Sequence, residues 1–158
     1  MKKSLLLLLT LVPIAAGWLI NALFFVPPIG MAAFYILPLL VLAFWFHLGR
    51  QYADTAWKAL PSILIGNAVG IVSLALYVWQ FIFETDETRN LSVAAFSQMF
   101  TAGTPMYLWG SIARLFETRP NYAGRASMTA LQVISLLVMM LVFAGGYFWQ
   151  KKKCRADR

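Results

Sequence analysis

Apolar positions along this chain gather into four stretches without a single Asp, Glu, Lys, Arg or His: residues 4–46, 59–83, 90–113 and 126–150. The charges lie in the short gaps between them. A charged side chain at the centre of a bilayer costs several kcal/mol, so this pattern suits hydrocarbon rather than water. A helix needs about 20 residues to cross roughly 30 Å of hydrocarbon, and the first stretch is too long for one crossing. Its break is Pro27-Pro28-Ile29-Gly30, a proline pair followed shortly by glycine. The pattern therefore predicts spans over 4–26 and 31–48, with a kink at Pro38. Residues 60–83 form a third span, with Pro61 in its first turn, and residues 127–149 form the last. Residues 93–115 are a weaker candidate, interrupted by Gly103 and Pro105. The expected fold class is an all-α integral membrane protein, one domain over 1–158 with a bundle of four to five transmembrane helices.

Orientation follows from the basic residues. Lys2 and Lys3 put the N-terminus inside, two spans return the chain inside at Arg50 and Lys58, and the third exits to the acidic Glu84–Arg89 loop. If 93–115 crosses, Arg114, Arg119 and Arg125 are inside, and Lys151, Lys152, Lys153, Arg155 and Arg158 end outside. If it lies at the outer surface or re-enters, those five return inside, and the charge rule is better obeyed. On a helical wheel Asn90, Ser97, Thr101, Thr104 and Ser111 fall within about 80° of one another. Such amphipathicity fits an outer interfacial helix. It also fits a fifth span whose hydroxyls face its neighbours. The charge count favours four spans, hydropathy alone counts five, and the C-terminus is expected inside.

Composition narrows the class. The chain is 61% hydrophobic and 12% charged, with a mean hydropathy of +0.71. A soluble domain of this length would expose large apolar patches. The formal charge of +7 flanks the apolar segments rather than forming a basic stripe interleaved with aromatics, so nucleic acid is not an expected partner. The excess reads as topology signalling and attraction to anionic headgroups. Residues 1–17 resemble a secretory signal peptide, but the apolar run continues through Trp18 to Val26, long enough to span. The expected location is the cytoplasmic (plasma) membrane, with an uncleaved first helix.

Aromatic side chains fall near predicted span ends: Trp45 and Trp57 bracket the inner loop, Tyr77 and Trp79 approach the outer end of the third span, and Tyr147 and Trp149 end the last. These are belt positions, with an apolar ring and a polar tip at headgroup depth. Trp18 lies near the middle of its helix and is expected to pack against another helix.

The sharpest internal pattern is in the third span. Ser62, Gly66, Gly70, Ser73, Tyr77 and Gln80 share about 80° of the wheel, and Gly66 and Gly70 form a G-x-x-x-G step. Small residues let backbones approach closely, so Ser62, Gly66, Gly70 and Ser73 are expected to form a helix-packing seam. A second reading makes Asn67, Tyr77, Gln80 and Gln132 contacts for a neutral or apolar solute. Gln132, Ser135 and Gly146 share a face of the last span.

Two charged clusters flank the spans. His47, Arg50, Asp54 and Lys58 occupy the inner loop at helical spacing, and His47 with Asp54 is the one acid/base combination a lipid-modifying enzyme would use. Arg114, Glu117, Arg119 and Arg125 are candidate contacts for a phosphate headgroup or a partner's acidic loop. Cys154 is the only cysteine, which excludes internal disulfides and Cys-based metal sites. H-E-x-x-H, C-x-x-C, G-x-S-x-G and a glycine-rich phosphate loop are all lacking. No catalytic residue, metal or cofactor is expected.

The leading expectation is a non-enzymatic accessory, regulatory or homo-oligomeric subunit whose partners are the bilayer and another membrane protein or a second copy. The alternatives are a small transporter or binding subunit, then a lipid-modifying enzyme.

Overall fold

A computed structural model describes residues 3–109, 117 and 124–156, and every regular element among them is a helix. Helix α1 (Lys3–Leu9) and α2 (Val12–Leu23) together run Lys3–Leu23, 21 residues, long and apolar enough for one crossing. The turn between them has a local cause. Pro13 has no N–H for the Leu9 carbonyl, and the Thr10 hydroxyl donates back to Leu7 O at 2.7 Å.

The proline pair separates α2 from α3 (Ile29–Ala53), as the sequence indicates. At 25 residues, α3 is longer than the predicted 31–48. It keeps Pro38 buried within it and carries His47 and Arg50 on its last turns instead of in a loop. Thr55 ends the excursion by donating its hydroxyl to Tyr52 O at 2.7 Å.

The third apolar stretch is not one straight helix. Helix α4 (Ala59–Gly66) and α5 (Ala68–Val78) meet at Asn67, with a bend of 53° between α4 and the segment running to Phe83. Asn67 turns its amide back onto Ile63 O at 2.9 Å, and such local bonding competes with helix continuation. The C-terminal end of α5 widens into a π-helical turn, Trp79–Phe83.

Helix α6 (Leu91–Ala102) begins at Asn90, whose side-chain oxygen accepts from the Ser92 and Val93 amides, both at 3.1 Å. Its 12 residues rise only about 18 Å, well short of roughly 30 Å of hydrocarbon. A 3₁₀ turn, Pro105–Trp109, follows, and the predicted segment's remaining residues lie outside those described. The last helix, α7 (Arg125–Ala156), has 32 residues and exceeds the predicted 127–149 at both ends. Among the described residues, three helices (α1–α2 taken together, α3 and α7) are thus long and apolar enough to cross a membrane, and the bent α4–α5 pair makes up to four.

Packing is organised by two reciprocal glycine contacts. A Cβ on Gly49 of α3 would overlap the Phe143 carbonyl of α7, and one on Gly146 of α7 would overlap the Phe46 carbonyl of α3. The same exchange joins α2 to the end of α6: a Cβ on Gly17 would strike Met99 O, and one on Gly103 would strike Pro13 O. These close approaches bring whole backbones into contact, the form of association favoured in lipid. Between them lies a core of Leu6, Trp45, Leu48, Tyr52, Met139 and Phe143.

Several aromatic expectations are corrected. Trp45 is fully buried, its indole N–H donating to Asn67 Oδ1 at 2.9 Å, so it is a core residue and not part of a belt. Tyr77 and Tyr147 are likewise buried. Trp149 is exposed, and Trp79 donates its exposed indole to Glu84 at 3.0 Å. Trp18, expected in the core, is 62% exposed. Periodicity could not reveal this, because α6 covers only one side of α2.

Candidate functional site

The polar groups predicted for the membrane interior are mostly tied to one another. The four seam residues Ser62, Gly66, Gly70 and Ser73 are all buried. A Cβ on Gly66 would strike the Phe143 ring, and one on Gly70 would meet the Phe100 ring and Leu136. Ser73 donates its hydroxyl to Ser97 O on α6. The stripe is thus filled by rings and a carbonyl of its own chain, leaving no free strip for a second molecule.

Helix α6 turns its hydroxyl stripe inward. Ser97, Thr101 and Thr104 are buried, while Phe96 is exposed. That orientation sets the stripe against neighbouring helices of the same chain. Ser97 and Thr104 return their hydroxyls to Ala94 O and Thr101 O. Thr101 reaches across to Gln132 Oε1 on α7 at 3.3 Å.

The four suggested solute contacts do not converge. Asn67 is held by Trp45. Gln80 is buried and accepts the Asn90 amide at 2.8 Å, while its own carbonyl accepts from Arg89 Nε at 2.9 Å. Tyr77 stacks on Phe81 with ring centroids 4.6 Å apart. Gln132 alone borders an internal cavity, with Thr101, Thr104, Ser135 and Gly70. That cavity has a volume of about 10 Å³, space for about one water. The Ser135 hydroxyl is buried, with no hydrogen-bond partner among the described residues.

At the C-terminal end of α3, His47 Nε2 pairs with Gln51 Nε2 at 2.8 Å, not with Asp54. Arg50 and Asp54 both engage Gln150, at 3.3 Å each, which ties the end of α3 to α7. Gln150 is a joint that the sequence reading missed. Only its position, one residue before the basic tail, hinted at a polar tie there.

At the opposite end, Asp86 holds Arg89 at 2.9 Å and Arg125 at 3.7 Å. Arg89 also lies over the Phe81 ring, 4.7 Å from its centroid. Glu117 accepts hydrogen bonds from the Ser127 hydroxyl and from the Gly124 amide, the latter at 2.6 Å. Both bonds favour the charged carboxylate and hold its pKa below the usual carboxylate range. Arg125 and Glu117 are thus tied to the start of α7; Arg114 and Arg119 lie outside the described residues.

Two wide apolar grooves open on the surface of the described helices. One, of about 740 Å³, lies between α1–α2 and α6, with Ala15, Ser92 and Ala95 among its smaller residues and Trp18, Phe96 and Met99 among its larger ones. The other, of about 720 Å³, runs along α7 beside the π-helical turn and has Arg125 at one end. No protein-family model matches this chain, and no solved structure matches its fold.

Proposed function

We propose that this protein is a non-enzymatic membrane subunit with four crossings, working by contact with the helix of another membrane protein at the groove between α2 and α6. The observation that carries this reading is the groove itself: Trp18 stands 62% exposed beside Phe96 over small residues. Ala15, Ser92 and Ala95 allow a neighbouring backbone to come close. Exposed aromatics are the side chains most often responsible for contact energy. No charge lines this groove, so it has nothing to select a lipid headgroup, and the complementary surface is an apolar helix. Four crossings place both termini on the inner side, with α6 as a short internal prop.

The solute-binding reading has one observation in its favour, the bend at Asn67, since broken helices frame many transport sites. The adjoining cavity of about 10 Å³ gives a solute no room in this conformation.

The test is photo-crosslinking from position 96 in native membranes, together with Trp18→Ala. A crosslinked membrane protein, identified by mass spectrometry and lost in Trp18→Ala, is the expected result. A crosslink to a second copy would make the partner the chain itself. Crosslinks to lipid alone would refute the reading.

A further inference from the structure

The second groove differs from the first in having a charged end. Its floor is one face of α7: Ala126, Ala130, Val133 and Ile134, walled by Phe81 and Ile82. From Arg125 to Ile134 that face extends about 13 Å at 1.5 Å per residue, a length suited to much of one acyl chain. Thr129 also lines the groove, yet adds little polarity, because its hydroxyl donates to Arg125 O at 2.8 Å. Apolar contact therefore dominates until Arg125 is reached.

The charges at that end have both signs. Arg125 is 65% exposed and Asp86, 3.7 Å away, is 77% exposed. Arg89 engages the same Asp86 oxygen from a mostly buried position. Glu84 is occupied by the Trp79 indole, and Glu87 is exposed in the same loop. A purely anionic headgroup placed on Arg125 would thus meet an acidic loop beside it. A headgroup with a phosphate and a primary ammonium meets complementary charge at both points.

We propose that this groove is a binding site for one phospholipid with an ammonium–phosphate headgroup, of the phosphatidylethanolamine class. The acyl chain lies along Ala126, Ala130 and Ile134, the phosphate accepts from the Arg125 guanidinium, and the ammonium donates to Asp86. The guanidinium presents a planar fork of donors to phosphate oxygens. An ethanolamine ammonium has three N–H donors for a carboxylate, whereas a quaternary choline has none. This site is independent of the proposed partner contact at α2 and α6.

The experiment uses the full chain in nanodiscs containing equal parts phosphatidylethanolamine, phosphatidylcholine and phosphatidylglycerol with identical acyl chains. Native mass spectrometry then counts the lipids that leave with the protein. One phosphatidylethanolamine per chain is expected, favoured over each competitor by roughly tenfold, the effect of one charge-assisted hydrogen bond. Arg125→Gln should abolish retention, and Asp86→Asn should level the preference among the three lipids. Ala130→Trp, which fills the groove from an exposed position, should also abolish retention. Melting temperatures of the variants, expected to match the parent, separate loss of the site from loss of the fold. Equal retention of the three lipids, a preference for phosphatidylglycerol or phosphatidylcholine, or a preference that survives Arg125→Gln and Asp86→Asn would overturn the proposal.

Discussion

Two adjacent glycines on α7 meet very different surroundings. Gly146 faces the Phe46 carbonyl with no room for a methyl group, whereas a Cβ on Gly145 would come no nearer than 3.8 Å to the Phe46 ring edge. Gly146→Ala is therefore expected to destabilise the protein by about 1–3 kcal/mol, the usual cost of overpacking. Gly145→Ala should leave it unchanged or slightly more stable. Thermal melts in one mild detergent compare the two directly, and equal effects would contradict the α3–α7 packing. Asn67→Ala removes the acceptor of the buried Trp45 indole and should cost about 1 kcal/mol. In a double-mutant cycle with Trp45→Phe, the two changes should be clearly non-additive. At this scale the sequence was legible only in part. Gly66 and Gly70 stand four apart in an apolar run, so their small size was conspicuous. Gly49 was concealed among His47, Arg50 and Asp54, and Gly17 lay in what resembled a cleavage region. Their pairing with Gly146 and Gly103 depends on which helices touch, and no spacing within one helix encodes that.

At the level of elements, Glu117 sits beside the start of α7 with a displaced pKa. The Glu117 carboxylate gains hydrogen bonds from Ser127 and Gly124 on folding, so its pKa is depressed. A depressed carboxyl contributes stability that is present above its unfolded pKa and disappears as pH falls through the lower folded value. Hydrogen exchange in the first turn of α7 should accordingly be protected at neutral pH and quicken, after correction for intrinsic rates, under acid conditions below the ordinary carboxylate range. Glu117→Gln should remove that pH dependence; a dependence unchanged in this variant would show that another group governs the turn. Element positions were largely readable, because prolines at 27 and 28 and long charge-free runs leave a chain few choices. The division of the third stretch was not. Asn67 resembled one more amide in an apolar helix, and the bend arises because its side chain bonds both Ile63 O and Trp45 across the bundle. Helix α6 was ambiguous for a related reason: a hydroxyl stripe looks the same whether it faces water or, as here, Ser73 and Gln132.

For the whole molecule, the described interior is packed mainly by its own rings and hydrogen bonds, so the proposed function lies on the exposed apolar surface. This shifts the expected effect of changing the third-span glycines. Gly66→Leu should push against the Phe143 ring and destabilise the fold itself, seen as early melting, instead of separating an otherwise intact assembly. Four crossings with α6 as a half-length prop, as proposed, would set both ends of the chain on one side. Cys154 is the sole cysteine and is exposed, making it a native reporter for that claim. Intact cells treated with a membrane-impermeant maleimide should leave Cys154 unlabelled until they are permeabilised, while Cys154→Ser/Glu87→Cys in the Glu84–Arg89 loop should label at once. Labelling of Cys154 in intact cells would contradict the four-crossing account.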